Sequence, residues 1–144
     1  MLWVRGNLFI PDARVFWVKP SVAYLEKYIR ENEIDTIITS GPPHSLHLIG
    51  LELKQKINLK WLADFRDPWT TIGYHKSLRL SQYAAKKHKQ LERQVLNSAD
   101  TIIVTSKTTK AEFQALTTKP IEVITNGFDV EKVDKQSLDT KFSL

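Results

Sequence analysis

In WLADFRDPWTT, residues 61–71, an apolar start gives way to Asp64, Arg66, Asp67 and Trp69. Carboxylates accept hydrogen bonds from sugar hydroxyls, and an indole face packs on the C–H surface of a sugar ring. That set suits a hydroxyl-rich ligand. The same residues also have a structural use. Asp67 ahead of Pro68 can cap a turn or short helix. Asp64 can accept from backbone N–H groups, Arg66 can pair with either acid, and Trp69 can cover the core. Residue chemistry alone leaves both readings open.

Three more polar stretches punctuate the chain: SGPPHS (40–45), TSKTT (105–109) and TNGFD (125–129). Pro42 and Pro43 have no backbone N–H to offer, which argues against a phosphate cradle in the first. His44 and His47 are three apart and could share a helix face. No third ligand is placed near them, so the pair is not read as a metal site. His44 is instead read as a hydrogen-bonding group at a cleft. Ser106, with Thr109, suits a helix N-cap, or the same hydroxyl could meet a ligand at that helix end. Asn126-Gly127 marks a turn. The chain has no P-loop pattern and no GxGxxG dinucleotide fingerprint.

The elements that must position these stretches follow from periodicity. Short apolar runs at 35–39, 60–64, 101–105 and 121–125 lack clean alternation, which fits strands buried in a parallel sheet. Helical patterns lie between them. Leu46, Ile49, Leu53 and Ile57 keep helical spacing, as do Leu80, Ala84, Leu91 and Val95. Strand alternating with helix predicts an α/β chain, a Rossmann-like three-layer α/β/α arrangement of about four core strands with right-handed crossovers. Pro43 suits a first helical turn. Ligands of such sheets bind beyond the carboxyl ends of the strands. All four polar stretches fall there, so together they predict one rim. The organised domain is read as residues 20–130. An aromatic-rich segment at 1–19 should pack in part, and 131–144 reads as a polar tail or the start of a linker.

At 144 residues, with 42% hydrophobic and 26% charged residues, the chain suits one domain with a real core. It has no cysteine, which excludes disulfides and thiolate chemistry. No apolar run approaches a membrane span, and MLWVRGNLFIPD is not read as a signal peptide. The net charge is +5, and residues 76–97 alone carry six basic residues against Glu92, also a net +5. Read as a helix, that segment puts Arg79, Lys86, Lys89 and Arg93 opposite its apolar stripe. They form either a solvated face or a patch for anionic lipid or polyphosphate. Nucleic acid is not indicated, because the basic residues lack interleaved aromatics and a reader motif.

Taken in order, TSGPPHSLHLIGLELKQKINLKWLADFRDPWT, LERQVLNSADTIIVTSKTTKAEF and IEVITNGFD resemble the N-terminal domain of bacterial family 4 glycosyltransferases, which have the two-domain GT-B fold. The resemblance covers about residues 8–131. It implies retaining transfer of a sugar from a nucleotide-sugar donor to an acceptor hydroxyl, in polysaccharide biosynthesis. The chain is read as cytoplasmic, and the basic patch, if it meets anionic lipid, would hold it at the inner membrane surface. The acceptor would be a sugar or lipid-linked, and no cofactor would be held by this chain itself. His44, Asp64, Arg66, Asp67 and Trp69 would line the acceptor side of the cleft, with Ser106 and Asn126 on the same rim nearer the hinge. No catalytic residue is assigned. The family's opening strand and glycine-rich loop would precede residue 1, and its donor-binding domain would follow TNGFD. The resemblance is therefore to part of an acceptor-side domain, expected to be inactive alone. Without that opening strand, the strand at 35–39 should have an open edge. Such an edge favours self-association, or cover by residues 1–19.

Overall fold

The structure, a computed structural model, describes residues 2–127. The polar tail expected at 131–144, and Phe128 and Asp129 of TNGFD, lie outside the described residues. Helices are α1 (Leu2–Leu8), α2 (Val18–Glu31), α3 (Ser45–Lys56), α4 (Gln82–Ser98) and α5 (Lys107–Gln114). Strands are β1 (Thr36–Gly41), β2 (Lys60–Phe65), β3 (Thr101–Val104) and β4 (Ile121–Val123). The strands form one sheet in the order β1-β2-β3-β4, every neighbouring pair parallel. The α/β class and the four-stranded parallel sheet are those the sequence predicts. The last strand is three residues long rather than the five expected.

Successive right-handed crossovers in one direction carry every connecting helix to the same face of a sheet. The burial pattern agrees. Trp61, Ala63, Phe65, Ile102 and Val104 are fully buried on one face. The intervening residues are not: Ile38 is 64% exposed, and Leu62, Asp64 and Ile103 are partly exposed. Helices α3 and α5 make the extensive helix contacts with the strands, and α2 packs on α3 rather than on the sheet. Among the described residues the connecting helices form one layer, on this face of the sheet.

Helix α3 is the centre of this layer. It meets β1, β2, α2 and α4, so apolar residues almost all round it are buried, including Leu48, Ile49, Leu51 and Leu53. Its Gly50 lies against the Trp61 indole so closely that a Cβ there would overlap the ring. A missing side chain thus lets the helix seat on the largest residue of β2. At the opposite end of the sheet, Asp100 accepts from the Trp61 N–H and from Lys54 Nζ, both at 2.7 Å. That carboxylate ties α3 to the starts of β2 and β3.

The N-terminal segment does pack, but not across the β1 edge. Helix α1 lies against residues 73–80 and α4. Gly6 is buried there beside Leu78 and Leu80, and Asn7 Oδ1 accepts from the Ser81 N–H at 2.7 Å. The basic segment is not one helix. Residues Gly73–Leu78 form a 3-10 turn, Arg79 has a left-handed φ of 49°, and α4 starts only at Gln82 with Ser81 as its cap. Arg79 therefore lies off the helix that carries Lys86, Lys89 and Arg93.

Candidate functional site

Parallel register brings the described residues of all four polar stretches to one end of the sheet. Gly41 pairs with Phe65, Phe65 with Val104, and Val104 with Val123. The residues that follow each strand leave side by side. Backbone bonds continue past the strands and latch them: Arg66 N–H donates to Gly41 O at 3.0 Å, and Thr105 Oγ1 donates to Arg66 O at 3.0 Å. Arg66 is thus fixed by its main chain between β1 and β3, with its side chain exposed.

Asp64 is still within β2. Because Ala63 and Phe65 face the core, it points to the other side of the sheet, where Ser40 Oγ donates to its Oδ2 at 2.7 Å. Among the described residues Arg66 forms no ion pair with Asp64 or Asp67. The pairing open to it from sequence is not made, and the guanidinium and Asp67 remain available at the rim.

The DPWTT stretch is held from below by α4 and α5. Trp69 Nε1 donates to His88 Nδ1 at 3.1 Å. Thr70 donates to Glu92 from both its N–H (3.0 Å) and its hydroxyl (2.6 Å). Thr71 Oγ1 donates to Glu112 at 2.7 Å. Trp69 is 1% exposed, so the indole is not an open wall for a ligand. It stacks flat on His44, ring centroids 4.9 Å apart. His44 in turn is buried, so it and Trp69 form a floor beneath the rim rather than its surface. Burial pushes Glu92 above the ordinary carboxyl range, partly offset by the Thr70 hydrogen bonds.

All four histidines of the chain gather in this floor. His47 stacks on Phe65 at 4.3 Å, His44 on Trp69, and His75 meets His88 edge-on at 4.9 Å. Thr39 Oγ1 accepts from Trp61 Nε1 at 2.9 Å and also hydrogen-bonds His47 Nδ1 at 2.9 Å. His88 accepts from Trp69 at Nδ1 and so donates from Nε2 to Gly6 O at 3.3 Å. Desolvation pushes His44 down to about 4 and His47 down to about 3, and it lowers His75 and His88 too. The cluster is neutral near pH 7. Among the described residues no group of three His, Asp or Glu is placed to hold a metal ion.

The helix starts complete the rim. Ser106 caps α5 by accepting from the Thr109 N–H at 3.1 Å, as its sequence position predicts. Helix α3 begins at Ser45, two residues after Pro43, so proline precedes the helix instead of opening it. Its cap comes from Asp12, whose carboxylate accepts from Ser45 N–H at 2.8 Å and Ser45 Oγ at 2.9 Å. Asn126 is exposed beyond β4.

A family model described as Glycosyltransferase Family 4 matches residues 2–132. The chain belongs to that family. No curated protein and no solved structure matches it. Among the described residues no helix is long and apolar enough to cross a membrane.

Sequence reasoning placed His44, Asp64, Arg66, Asp67, Trp69, Ser106 and Asn126 at one end of the sheet, and they stand there. Arg66, Asp67, Ser106 and Asn126 are at the accessible rim. Asp64 is on the exposed sheet face, and His44 and Trp69 form the floor. Lys86, Lys89 and Arg93 share an exposed face of α4. Three supporting residues escaped that reading: Asp12, His88 and Glu92. Ala84, His88 and Glu92 are four apart and share the buried stripe of α4, so the lone acid of the basic segment lay at an apolar position. That was the signal available for Glu92.

Proposed function

We propose that this chain supplies the acceptor-side wall of a sugar-transfer cleft, in an enzyme that moves a sugar from a nucleotide-sugar donor to an acceptor hydroxyl. Arg66, Asp67, Ser106 and Asn126 are the contact residues, and Asp64 reaches the same ligand from the sheet face. The observation that carries this reading is the convergence of these side chains at the carboxyl ends of four parallel strands in a glycosyltransferase family member. Carboxylates and hydroxyls accept and donate to sugar hydroxyls, and an unpaired guanidinium adds a donor fork. The buried His44–Trp69 pair fixes the loop positions and does not itself touch the sugar.

Donor binding and departure of the diphosphate fall to groups other than these rim residues. The purified chain, incubated with UDP-, GDP- and dTDP-sugars and a panel of oligosaccharide acceptors, is expected to give no transferred product. Sugar transfer by the chain alone would overturn that part of the reading.

A further inference from the structure

The connecting helices cover one face of the sheet, and among the described residues no helix makes extensive contact with the other. Strand alternation points Ile38, Leu62 and Ile103 to that open face. Register sets Ile38 beside Leu62 and Leu62 diagonal to Ile103, so the three make a continuous apolar ridge across three strands. Ile38 is 64% exposed. Parallel sheets are ordinarily covered on both faces. An apolar ridge across the middle of an open face therefore marks a contact surface.

The charges of this face say what fits on it. Along β2, Lys60, Leu62 and Asp64 follow one another as positive, apolar, negative. Among the described residues Lys60 forms no ion pair. Ser40 Oγ engages only Oδ2 of Asp64, which leaves that carboxylate acceptor capacity to spare. Glu122, in register with Ile103 and so in the row of Asp64, adds a second negative charge at that end. Such a pattern complements itself when the strand direction is reversed. A two-fold axis between two sheets, running across their strands, lays β2 antiparallel over the partner's β2. Leu62 then meets the partner's Leu62, and Lys60 meets the partner's Asp64 at both ends. Stacked sheets lie about 10 Å apart, a gap that a lysine and an aspartate reaching from opposite sides can span. An axis along the strands would instead bring the two acidic ends together.

We propose that the open sheet face binds a second copy of this chain, with the two sheets stacked β2 over β2 in opposite directions and Lys60 paired with Asp64 in both senses. The apolar ridge supplies the contact, and the Lys60–Asp64 pairs set its direction. The contact differs from pairing along the β1 edge, because its centre is the inner strand β2. Arg66, Asp67, Ser106 and Asn126 lie beyond the strand ends and stay open. Asp64 is the one residue that this face shares with the rim, and the contact stands whether or not the rim binds sugars.

The test is sedimentation equilibrium of the whole chain with variants that leave the β1 edge untouched. Lys60→Glu and Asp64→Lys should each weaken dimerisation at least about tenfold, and the double variant Lys60→Glu/Asp64→Lys should restore it to within about threefold. Circular dichroism should show all three folded. The chain has no cysteine, so Leu62→Cys supplies a single thiol on the face. A short bis-maleimide should join Leu62→Cys chains in pairs and leave Gln90→Cys chains, altered on the exposed side of α4, single. Dimers that both single reversals leave intact, or that fail to cross-link at position 62, place the contact at the β1 edge and overturn the proposal. A chain that stays monomeric up to about half-millimolar concentration overturns it too, and assigns the face to cover by the chain itself or by a different partner.

Discussion

The imidazole of His44 lies flat on the indole of Trp69, centroids 4.9 Å apart and planes 2° from parallel. Each ring belongs to a different rim loop, one after β1 and one after β2. The stack therefore sets the spacing of the two loops, and the Trp69–His88 hydrogen bond sets their height above α4. Trp69→Phe keeps an aromatic face but leaves His88 Nδ1 without its donor. A buried acceptor left unpaired costs about 1–3 kcal/mol, and chemical denaturation should show a loss in that range. Trp69→Ala adds a cavity and should cost about 3–5 kcal/mol.

Acid should destabilise this fold through its histidines before its carboxylates protonate. His44 and His47 titrate near 6.5 when unfolded, but at about 4 and about 3 in the fold, chiefly through desolvation. The unfolded chain thus binds more protons between those values, and stability falls as pH drops from 6.5. Each ring should cost on the order of 2–3 kcal/mol by pH 4. Asp12 raises His44, while His75 and His88 add in the same direction as burial. Glu92 runs the other way: its raised value gives stability that is present below the ordinary carboxyl range and lost as pH rises. Urea midpoints at pH 7, 5.5 and 4.5 should fall steadily, and His47→Gln should flatten the slope. Equal midpoints across that range would refute neutral burial of the cluster.

Gly50→Ala forces a Cβ into the Trp61 indole. Neither backbone can retreat easily, since α3 is packed on four sides and Trp61 N–H is held by Asp100. Overpacking of this kind costs about 1–3 kcal/mol. Gly50→Ala/Trp61→Phe removes the larger ring and should recover part of the loss, a non-additivity that a double-mutant cycle reads directly.

β1 is an edge strand of six residues with no proline and no charge within it. Helix α1 packs on residues 73–80 and α4 rather than along that edge. An uncharged, β-branched edge pairs readily with another, so association at high concentration is expected. Sedimentation velocity from 10 to 500 µM should show a rising average mass, and Ile38→Lys, at an exposed position, should abolish the rise. A single monomeric species throughout would rule out edge pairing.

Local pattern was enough for the strand–helix alternation, the parallel sheet and the rim at its carboxyl end. Ser106 as a cap was equally legible, because its partner Thr109 is three residues away. What sequence could not reveal depended on distant partners. Asp12 caps a helix 33 residues later, and nothing near Asp12 announces that. Trp69 looked like a ligand wall because its immediate neighbours are polar, yet its burial is decided by His44 and by His88 19 residues on. The basic stretch looked like one helix because its charges outnumber its breaks. The left-handed turn at Arg79, without a glycine, gave no local warning.

The most direct test of the acceptor-side reading is an amide chemical-shift titration of the whole chain with a panel of short oligosaccharides. The account predicts that at least one member perturbs residues 64–70, 105–106 and 124–126 together, and that Asp67→Asn and Arg66→Gln weaken that response several-fold without changing the melting temperature. Shifts confined to α4 or the β1 edge, or a response unaltered by both substitutions, would contradict it.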